Sequence, residues 1–317
     1  MEGLVIKNAG NLYNVLTKDR HTIQCRIKGK FRLKGIRTTN PIAVGDRVIV
    51  SDAPAPDGTS YITAIVPREN YIIRRASNLS KESHIIAANI DRAMLVLTLA
   101  HPTTSTTFVD RFLATAEAYR VNATLVINKT DLLQTEEDLE FLEAFSYLYK
   151  SIGYDVMHVS ARTGKGIDLL RQQLEGKITL FSGNSGVGKS TLINDLIPGL
   201  NLKTSAISDV HDSGMHTTTF SEMFFLESGN PDSGAVIDTP GIRGFGTIDF
   251  DKNDTGHFFP EIFRESARCR FNNCTHIHEP GCAVREALDN HVIAQSRYTS
   301  YLSILNDADE SKYRQGY

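Results

Sequence analysis

A glycine-rich segment at residues 183–190 constrains the fold of this chain more than any other feature. It follows the apolar run KITLFS and precedes the helix-like run TLINDLI, and it has the pattern G-x-x-x-x-G-K-S. Backbone N–H groups of such a loop surround a β-phosphate, while Lys189 supplies a cation and Ser190 a hydroxyl ligand for Mg²⁺. The expected nucleotide contacts are Gly183, Asn184, Ser185, Gly186, Val187, Gly188, Lys189, Ser190 and Thr191. The loop alone does not distinguish ATP from GTP.

A second motif indicates which base is bound. Asn128, Lys129, Thr130 and Asp131 follow the apolar run ATLVI, and a carboxylate such as Asp131 can accept hydrogen bonds from N1–H and the 2-amino group of guanine. An ordinary polar turn has a similar composition. Ser160 and Ala161 follow the next strand-like run, where a backbone N–H can reach the guanine carbonyl. Together the two segments favour GTP.

A third group of residues is expected to respond to the γ-phosphate. Asp238 and Gly241 form a D-x-x-G motif at the end of the strand-like run GAVI. Residues 214–219 read GMHTTT, and their hydroxyls can complete the metal shell of a bound triphosphate. We expect Ser190 and Thr218 to be the magnesium ligands, although Thr217 and Thr219 offer the same chemistry.

The order of these motifs is unusual. The base-reading segments precede the phosphate loop, whereas ordinary GTPases place them last. Apolar strand-like runs alternate with amphipathic stretches from about residue 92, which is typical of a mainly parallel α/β sheet. The chain is therefore predicted to contain an α/β circularly permuted P-loop GTPase domain.

A cysteine and histidine cluster lies near the carboxyl end. Cys269, Cys274, His276 and Cys282 have the spacing C-x4-C-x-H-x5-C, and three thiolates with one imidazole suit a tetrahedral structural zinc ion. Four protein ligands leave no open position for catalysis. His278 is the competing imidazole.

The amino-terminal part is basic and β-rich. Residues 1–75 carry 13 Lys and Arg against 6 Asp and Glu, and residues 18–37 carry eight against one, with Phe31 among them. Short strand-like runs separated by Gly and Asp predict a small barrel. Basic side chains with an aromatic fit RNA binding, although a solvated basic face has the same composition.

The combination of parts resembles the bacterial ribosome small subunit-dependent GTPase A (RsgA) family. Matching stretches include AVGDRV, NKTD, GNSGVGKST, HTTT, DTPG and PGCAVREAL. The resemblance implies an OB-type barrel. The motifs themselves lead us to expect one structural zinc ion per chain and Mg²⁺ bound with GTP. It also implies hydrolysis stimulated by the small ribosomal subunit and a checkpoint role in late subunit maturation. The implied partners are the subunit, its rRNA, GTP or GDP, and other assembly factors.

The predicted organisation is multidomain. An OB-type barrel occupies residues 1–76, the GTPase domain residues 77–246, and a helical zinc-binding domain residues 247–317. The amino terminus lacks a basic and apolar leader, and no run of about 18 apolar residues occurs. We therefore expect a cytoplasmic protein without membrane association. Separately, we expect it to be a monomer.

Two positions bear on hydrolysis. Many GTPases place a water-orienting Gln directly after D-x-x-G, but this chain has Ile242. The resemblance assigns that role to His216, with Lys189 also in the catalytic set. Met215 replaces an Arg that is usual in the family.

Two other functions fit parts of the sequence. One is a signalling-type GTPase that does not contact RNA. The other is a nucleotide-regulated RNA-binding module with negligible turnover, which Ile242 would favour.

Overall fold

The computed structural model describes residues 1–28, 41–51, 58–75, 83–202, 221–238 and 254–313. The expected domain boundaries, near residues 76 and 246, lie outside these ranges. Among the described helices, none is both long and apolar enough to cross a membrane.

Five short strands form a closed barrel at the amino end. Alternating buried and exposed residues along them place Val5, Val15, Cys25, Val48 and Ile62 in its core. Neighbours follow the order β1-β2-β3-β5-β4, and β4 pairs back to β1. The pairing of β3 with β5 is parallel and the other pairings are antiparallel. This confirms the predicted barrel. The strands are β1 Glu2–Ala9, β2 Leu12–Thr17, β3 Thr22–Ile27, β4 Arg47–Val50 and β5 Ser60–Ile65.

A two-stranded hairpin follows the barrel, with β6 at Tyr71–Arg75 and β7 at Ser83–Ala88. The barrel is held against it by close backbone contact, because a Cβ atom at Gly45 would lie 2.0 Å from the carbonyl oxygen of Ala88. Arg68 forms a buried ion pair with Asp46, with 2.6 Å between Nε and Oδ1. The hairpin and the barrel therefore pack directly against each other.

The central sheet has the order β10-β9-β8-β11-β13-β12. All neighbouring strands are parallel except β12, which is antiparallel to β13. Its middle strands are nearly continuous apolar runs because both faces are covered. Within the described residues, four helices lie between these strands in the chain. The elements are β8 Arg92–Leu97, α1 Thr106–Ala118, β9 Asn122–Ile127, α2 Glu136–Ile152, β10 Asp155–His158, α3 Ile167–Leu174, β11 Ile178–Ser182, α4 Lys189–Leu196, β12 Glu222–Glu227 and β13 Asn230–Asp238.

Alternate residues of the central strands belong to two separate hydrophobic cores, one on each face of the sheet. Leu95 and Leu97 of β8 pack with α1 and α2, whereas Met94 and Val96 pack with α3 and α4. The helix ends are well defined, since Ser105 caps α1 and Thr135 forms a capping box with Asp138 in α2. The strands β8, β9, β10, β11 and β13 consequently present their carboxyl ends at one edge of the sheet.

The carboxyl-terminal region is helical, as predicted. Its helices are α5 Pro260–Ser266, α6 Ala283–Asp289 and α7 Gln295–Tyr313. Apolar residues such as Phe259, Val284 and Tyr301 form its core, and Ala114 of α1 joins that core. The region thus packs directly on a helix of the central domain.

Candidate nucleotide site and metal cluster

The phosphate loop joins β11 to α4, as its pattern predicts. Gly188 has a φ of 87° and precedes α4, whose first turn has no side-chain cap. A Cβ atom at Gly188 would lie 2.5 Å from Asn128 Nδ2, and one at Gly183 would lie 2.4 Å from the carbonyl oxygen of Val96. Ser185 and Gly186 at the tip are exposed. The loop therefore offers uncapped backbone N–H groups and a positive helix end to an anion.

Lys189 and Asp238 form an ion pair at the centre of the site. Lys189 is the first residue of α4, Asp238 is the last residue of β13, and their side chains are only 10% and 7% exposed. The structure thus brings the cation of the phosphate loop beside the carboxylate of the D-x-x-G motif. Phosphate oxygens and a magnesium ion are the ligands that these two groups favour.

The base-reading motif is braced from two sides. Asn128 Nδ2 donates to the carbonyl oxygen of Val187 at 2.9 Å, and Asn128 Oδ1 accepts from the backbone N–H of Ala161 at 3.2 Å. Ser160 Oγ donates to Asp131 Oδ1 at 2.6 Å. Asn128 therefore links the phosphate loop to the Ser160 and Ala161 segment, and Ser160 holds one oxygen of the Asp131 carboxylate.

The loop between β8 and α1 also borders the site, which the sequence analysis did not anticipate. Lys129 adopts a left-handed conformation with a φ of 60°, and its Nζ donates to the carbonyl oxygen of His101 at 2.8 Å. Pro102 lies 3.5 Å from the position of a Cβ on Gly186. Because this loop follows a parallel strand at the carboxyl edge of the sheet, its chain position was the available signal.

Several predicted site residues lie outside the described part of the chain. They are His216 and Thr218 of the switch segment, Gly241 of the D-x-x-G motif, and the neighbouring Met215 and Ile242.

The four predicted metal ligands come together. One ligand atom from each of Cys269, Cys274, His276 and Cys282 lies within 4.8 Å of the others. His276 is 4% exposed, and its Nδ1 lies 3.7 Å from Cys269 Sγ and 3.5 Å from Cys282 Sγ. His278 is exposed and outside this group. The donor set fits a single tetrahedral ion.

Polar contacts around the cluster hold its backbone in place. Tyr298 and Tyr301 of α7 donate their hydroxyls to the carbonyl oxygens of His276 and Thr275, at 2.7 and 2.9 Å. Glu279 accepts from the Thr275 hydroxyl and from backbone N–H groups. Burial alone would raise the pKa of Glu279, but these hydrogen bonds lower it below its usual range. The cluster is thus anchored to α7.

Burial also affects the ligands themselves. It raises the pKa of the Cys274 thiol to about 12 and lowers the pKa of His276. A neutral imidazole is ready to coordinate, whereas the thiol must lose its proton to a metal ion. Metal binding at this cluster is therefore expected to release protons.

The fold and the arrangement of motifs define a circularly permuted P-loop GTPase carrying an amino-terminal barrel and a carboxyl-terminal Cys3His cluster. Comparison with known proteins agrees. A family model described as RsgA GTPase matches residues 65–248, and one described as RsgA N-terminal domain matches residues 2–62. The chain belongs to the RsgA GTPase family and is a GTP-hydrolysing enzyme.

Individual relatives match along the whole chain. The small ribosomal subunit biogenesis GTPase RsgA of Bacteroides fragilis is 58% identical over 317 residues, and RsgA 2 of Bacteroides thetaiotaomicron is 59% identical, with 100% of both chains covered. Among solved structures, YjeQ from Thermotoga maritima is 33% identical with a TM-score of 0.75, covering 97% of this chain and 98% of that one. YloQ, a circularly permuted GTPase, is 29% identical with a TM-score of 0.72, covering 100% and 96%.

Proposed function

We propose that this GTPase binds the small ribosomal subunit and acts as a checkpoint in its late maturation, with turnover stimulated by the subunit. The observation that carries the proposal is that one chain combines the nucleotide site with an amino-terminal barrel. Relatives named for small-subunit biogenesis match this chain over its full length. We infer contact with rRNA through the basic barrel, contact with other assembly factors, a monomeric state and action in the cytoplasm.

Nucleotide binding is assigned to the residues predicted from the sequence. Asp131 reads the base, with Ser160 holding its carboxylate and Asn128 bracing the neighbouring segments. The glycine-rich loop with Lys189 binds the phosphates, and Asp238 with Gly241 senses the γ-phosphate. Mg²⁺ is held by Ser190 and Thr218. The Lys189 and Asp238 pair supports this assignment because it brings the cation of the phosphate loop beside the carboxylate of the D-x-x-G motif.

Hydrolysis is assigned to His216 with support from Lys189. An aliphatic Ile242 cannot hydrogen-bond an attacking water, so another polar group is needed. His216 lies in the predicted switch, which would be ordered by the subunit. The protein would then act as a timer, bound to the subunit with GTP and released after hydrolysis.

The Cys3His cluster is assigned to one structural zinc ion held by Cys269, Cys274, His276 and Cys282. Its donor set and its lack of a free ligand position support folding rather than catalysis. We further infer domain boundaries near residues 76 and 246.

Single-turnover GTP hydrolysis with and without purified small subunits tests the proposal. We expect slow intrinsic hydrolysis and strong stimulation by the subunit. His216→Ala should lose most of the stimulated rate while keeping GTP affinity, because the imidazole acts on the transition state. Lys189→Ala should weaken GTP binding itself.

The alternative functions predict different results. A signalling-type GTPase would show no stimulation and no salt-sensitive binding to rRNA. A nucleotide-regulated binding module would bind subunits without multiple-turnover phosphate release. Equal stimulated rates in wild type and His216→Ala would remove His216 from the mechanism.

A further inference from the structure

Four charged residues form a continuous row from the barrel to the phosphate loop. Lys7 of β1 is the cross-strand partner of Glu222 in β12, and Lys7 Nζ lies 2.9 Å from the Glu222 carboxylate. Glu222 is in turn the cross-strand partner of Asp238 in β13. Asp238 forms the ion pair with Lys189. The row therefore runs from a barrel strand through two strands of the central sheet to the phosphate loop.

The strand register places Lys7, Glu222 and Asp238 opposite one another on neighbouring strands. Directly opposed residues of antiparallel strands project from the same face, with Cβ atoms about 4.5–5.5 Å apart. Glu222 and Asp238 carry like charges, which is unfavourable unless each has its own cation. Lys7 balances Glu222 and Lys189 balances Asp238. Each of the two opposed carboxylates therefore has its own lysine partner.

The row also lies at a structural junction. Glu222 is the first residue of β12, and Thr217–Thr219 of the predicted switch precede it by three to five positions. Leu4 and Ile6 of β1 pack against the core of the central sheet. The barrel consequently meets the sheet at the first residue of β12, one strand away from the D-x-x-G carboxylate.

We propose that Glu222 is a positioning residue that couples the barrel to the nucleotide site through Lys7 and Asp238. The inference rests on the proposed roles of Lys189 and Asp238 in binding nucleotide. If Lys189 turned to the β and γ oxygens of a bound nucleotide, Asp238 would lose this cation and would be available to hold the Mg²⁺ that accompanies the nucleotide. Glu222 would then oppose a carboxylate whose charge is balanced differently, so the strength of its contact with Lys7 would depend on the nucleotide. By reciprocity, a change in the barrel contact alters nucleotide preference.

The test measures the ratio of GTP-analogue affinity to GDP affinity in the free, full-length protein, using fluorescent nucleotides. Lys7→Glu leaves Glu222 beside a second carboxylate. Asp238 then interacts more strongly with Lys189, so the affinity for the GTP analogue falls more than the affinity for GDP. We expect the ratio to shift against GTP by about two- to fivefold, the effect of a half-exposed ion pair. The double variant Lys7→Glu with Glu222→Lys should restore the ratio.

Lys18→Glu is the matched control, because Lys18 forms an ion pair with Glu2 within the barrel at 3.0 Å and takes no part in the row. It should leave the ratio unchanged. An unchanged ratio in Lys7→Glu, or a double variant no better than the single, would overturn the coupling. Because no subunits are present, these results are separate from the proposed function, which fails only if subunits neither bind nor stimulate.

Discussion

Among single residues, Asp131 is the one on which base selectivity is expected to depend. Its carboxylate is 15% exposed, and one oxygen accepts from Ser160 at 2.6 Å. Asp131→Asn replaces an acceptor with an amide donor, which faces the N1–H of guanine unfavourably but suits the C2 carbonyl of xanthine. We expect GTP affinity to fall by about 10- to 100-fold, since a hydrogen bond to a charged group contributes about 1.5–3 kcal/mol. Xanthosine triphosphate should bind more tightly than GTP.

Equilibrium titration with fluorescent GTP and xanthosine triphosphate analogues measures both effects. Ser160→Ala is a useful companion, because it removes the brace on Asp131 but keeps the carboxylate. It should weaken GTP binding modestly without changing the preferred base. An Asp131→Asn variant that still prefers GTP would mean that the motif has been misinterpreted.

The sequence predicted some residues of the site and missed others for a physical reason. The phosphate loop and Asp131 belong to contiguous motifs whose backbone requirements restrict residue type, so a local pattern reveals them. His101 contributes only a backbone carbonyl, which any residue could supply. Outside the site, Arg297 of α7 contacts Asp110 of α1, 187 positions away in the chain, and no local pattern indicates that contact.

At the scale of elements, the metal cluster joins the loop after α5 to α6 and α7. The carboxyl-terminal core is small, whereas structural zinc can contribute about 10–16 kcal/mol of apparent binding free energy. Cys274→Ser should therefore lose zinc and unfold this region locally, while the barrel and the central sheet stay folded. Metal analysis of protein purified without chelator, together with hydrogen exchange of α6 and α7, tests this expectation.

His278→Ala provides the matched comparison, because His278 is exposed and lies two residues from the ligand His276. This variant should retain one equivalent of zinc and normal protection of α7. Wild-type protein containing less than half an equivalent of zinc would contradict the assignment.

At the scale of the whole molecule, Arg297 forms a buried polar connection between the carboxyl-terminal helices and the central domain. Its guanidinium is fully buried, contacts Glu261 at 2.6 Å and Asp110 at 2.8 Å, and lies 4.6 Å from the ring centroid of Phe259. Tyr149 of α2 donates to the same Asp110 oxygen at 2.8 Å. Burial alone would lower the pKa of Arg297, but the two carboxylates raise it above its usual range. Helices α1, α2, α5 and α7 therefore meet around one cation.

Arg297→Met should reduce the free energy of unfolding by about 3–5 kcal/mol, because it leaves two buried carboxylates without their cation. Urea denaturation monitored by tyrosine fluorescence and circular dichroism measures the loss. Arg111→Met changes another arginine at the contact of α1 with α7, where Nη2 donates to Ser303 Oγ at 2.9 Å. Arg111→Met should reduce the free energy of unfolding by about 0.5–1.5 kcal/mol, the contribution of one hydrogen bond. Equal losses in the two variants would exclude a special role for the buried network.

The arrangement of the domains was only partly predictable. The motif order correctly indicated circular permutation, because each motif must follow a strand at the carboxyl edge of one sheet. The pairing of β1 with β12 was not indicated, since Lys7 and Glu222 are 215 positions apart and each strand satisfies its own local pattern. Such a contact between domains depends on the shapes of the folded domains, which a local sequence pattern does not indicate.

The permuted order also determines what a growing chain can build first. Strands β8, β9 and β10, with the base-reading motif, leave the ribosome before β11 and its phosphate loop. Until residues 178–182 emerge, β8 lacks its second neighbour, and an unpaired strand edge is a common starting point for misassembly. The barrel, complete by residue 65, can close earlier. During synthesis, the strands that carry the base-reading motif therefore have one unpaired edge until the strand that leads into the phosphate loop has been made.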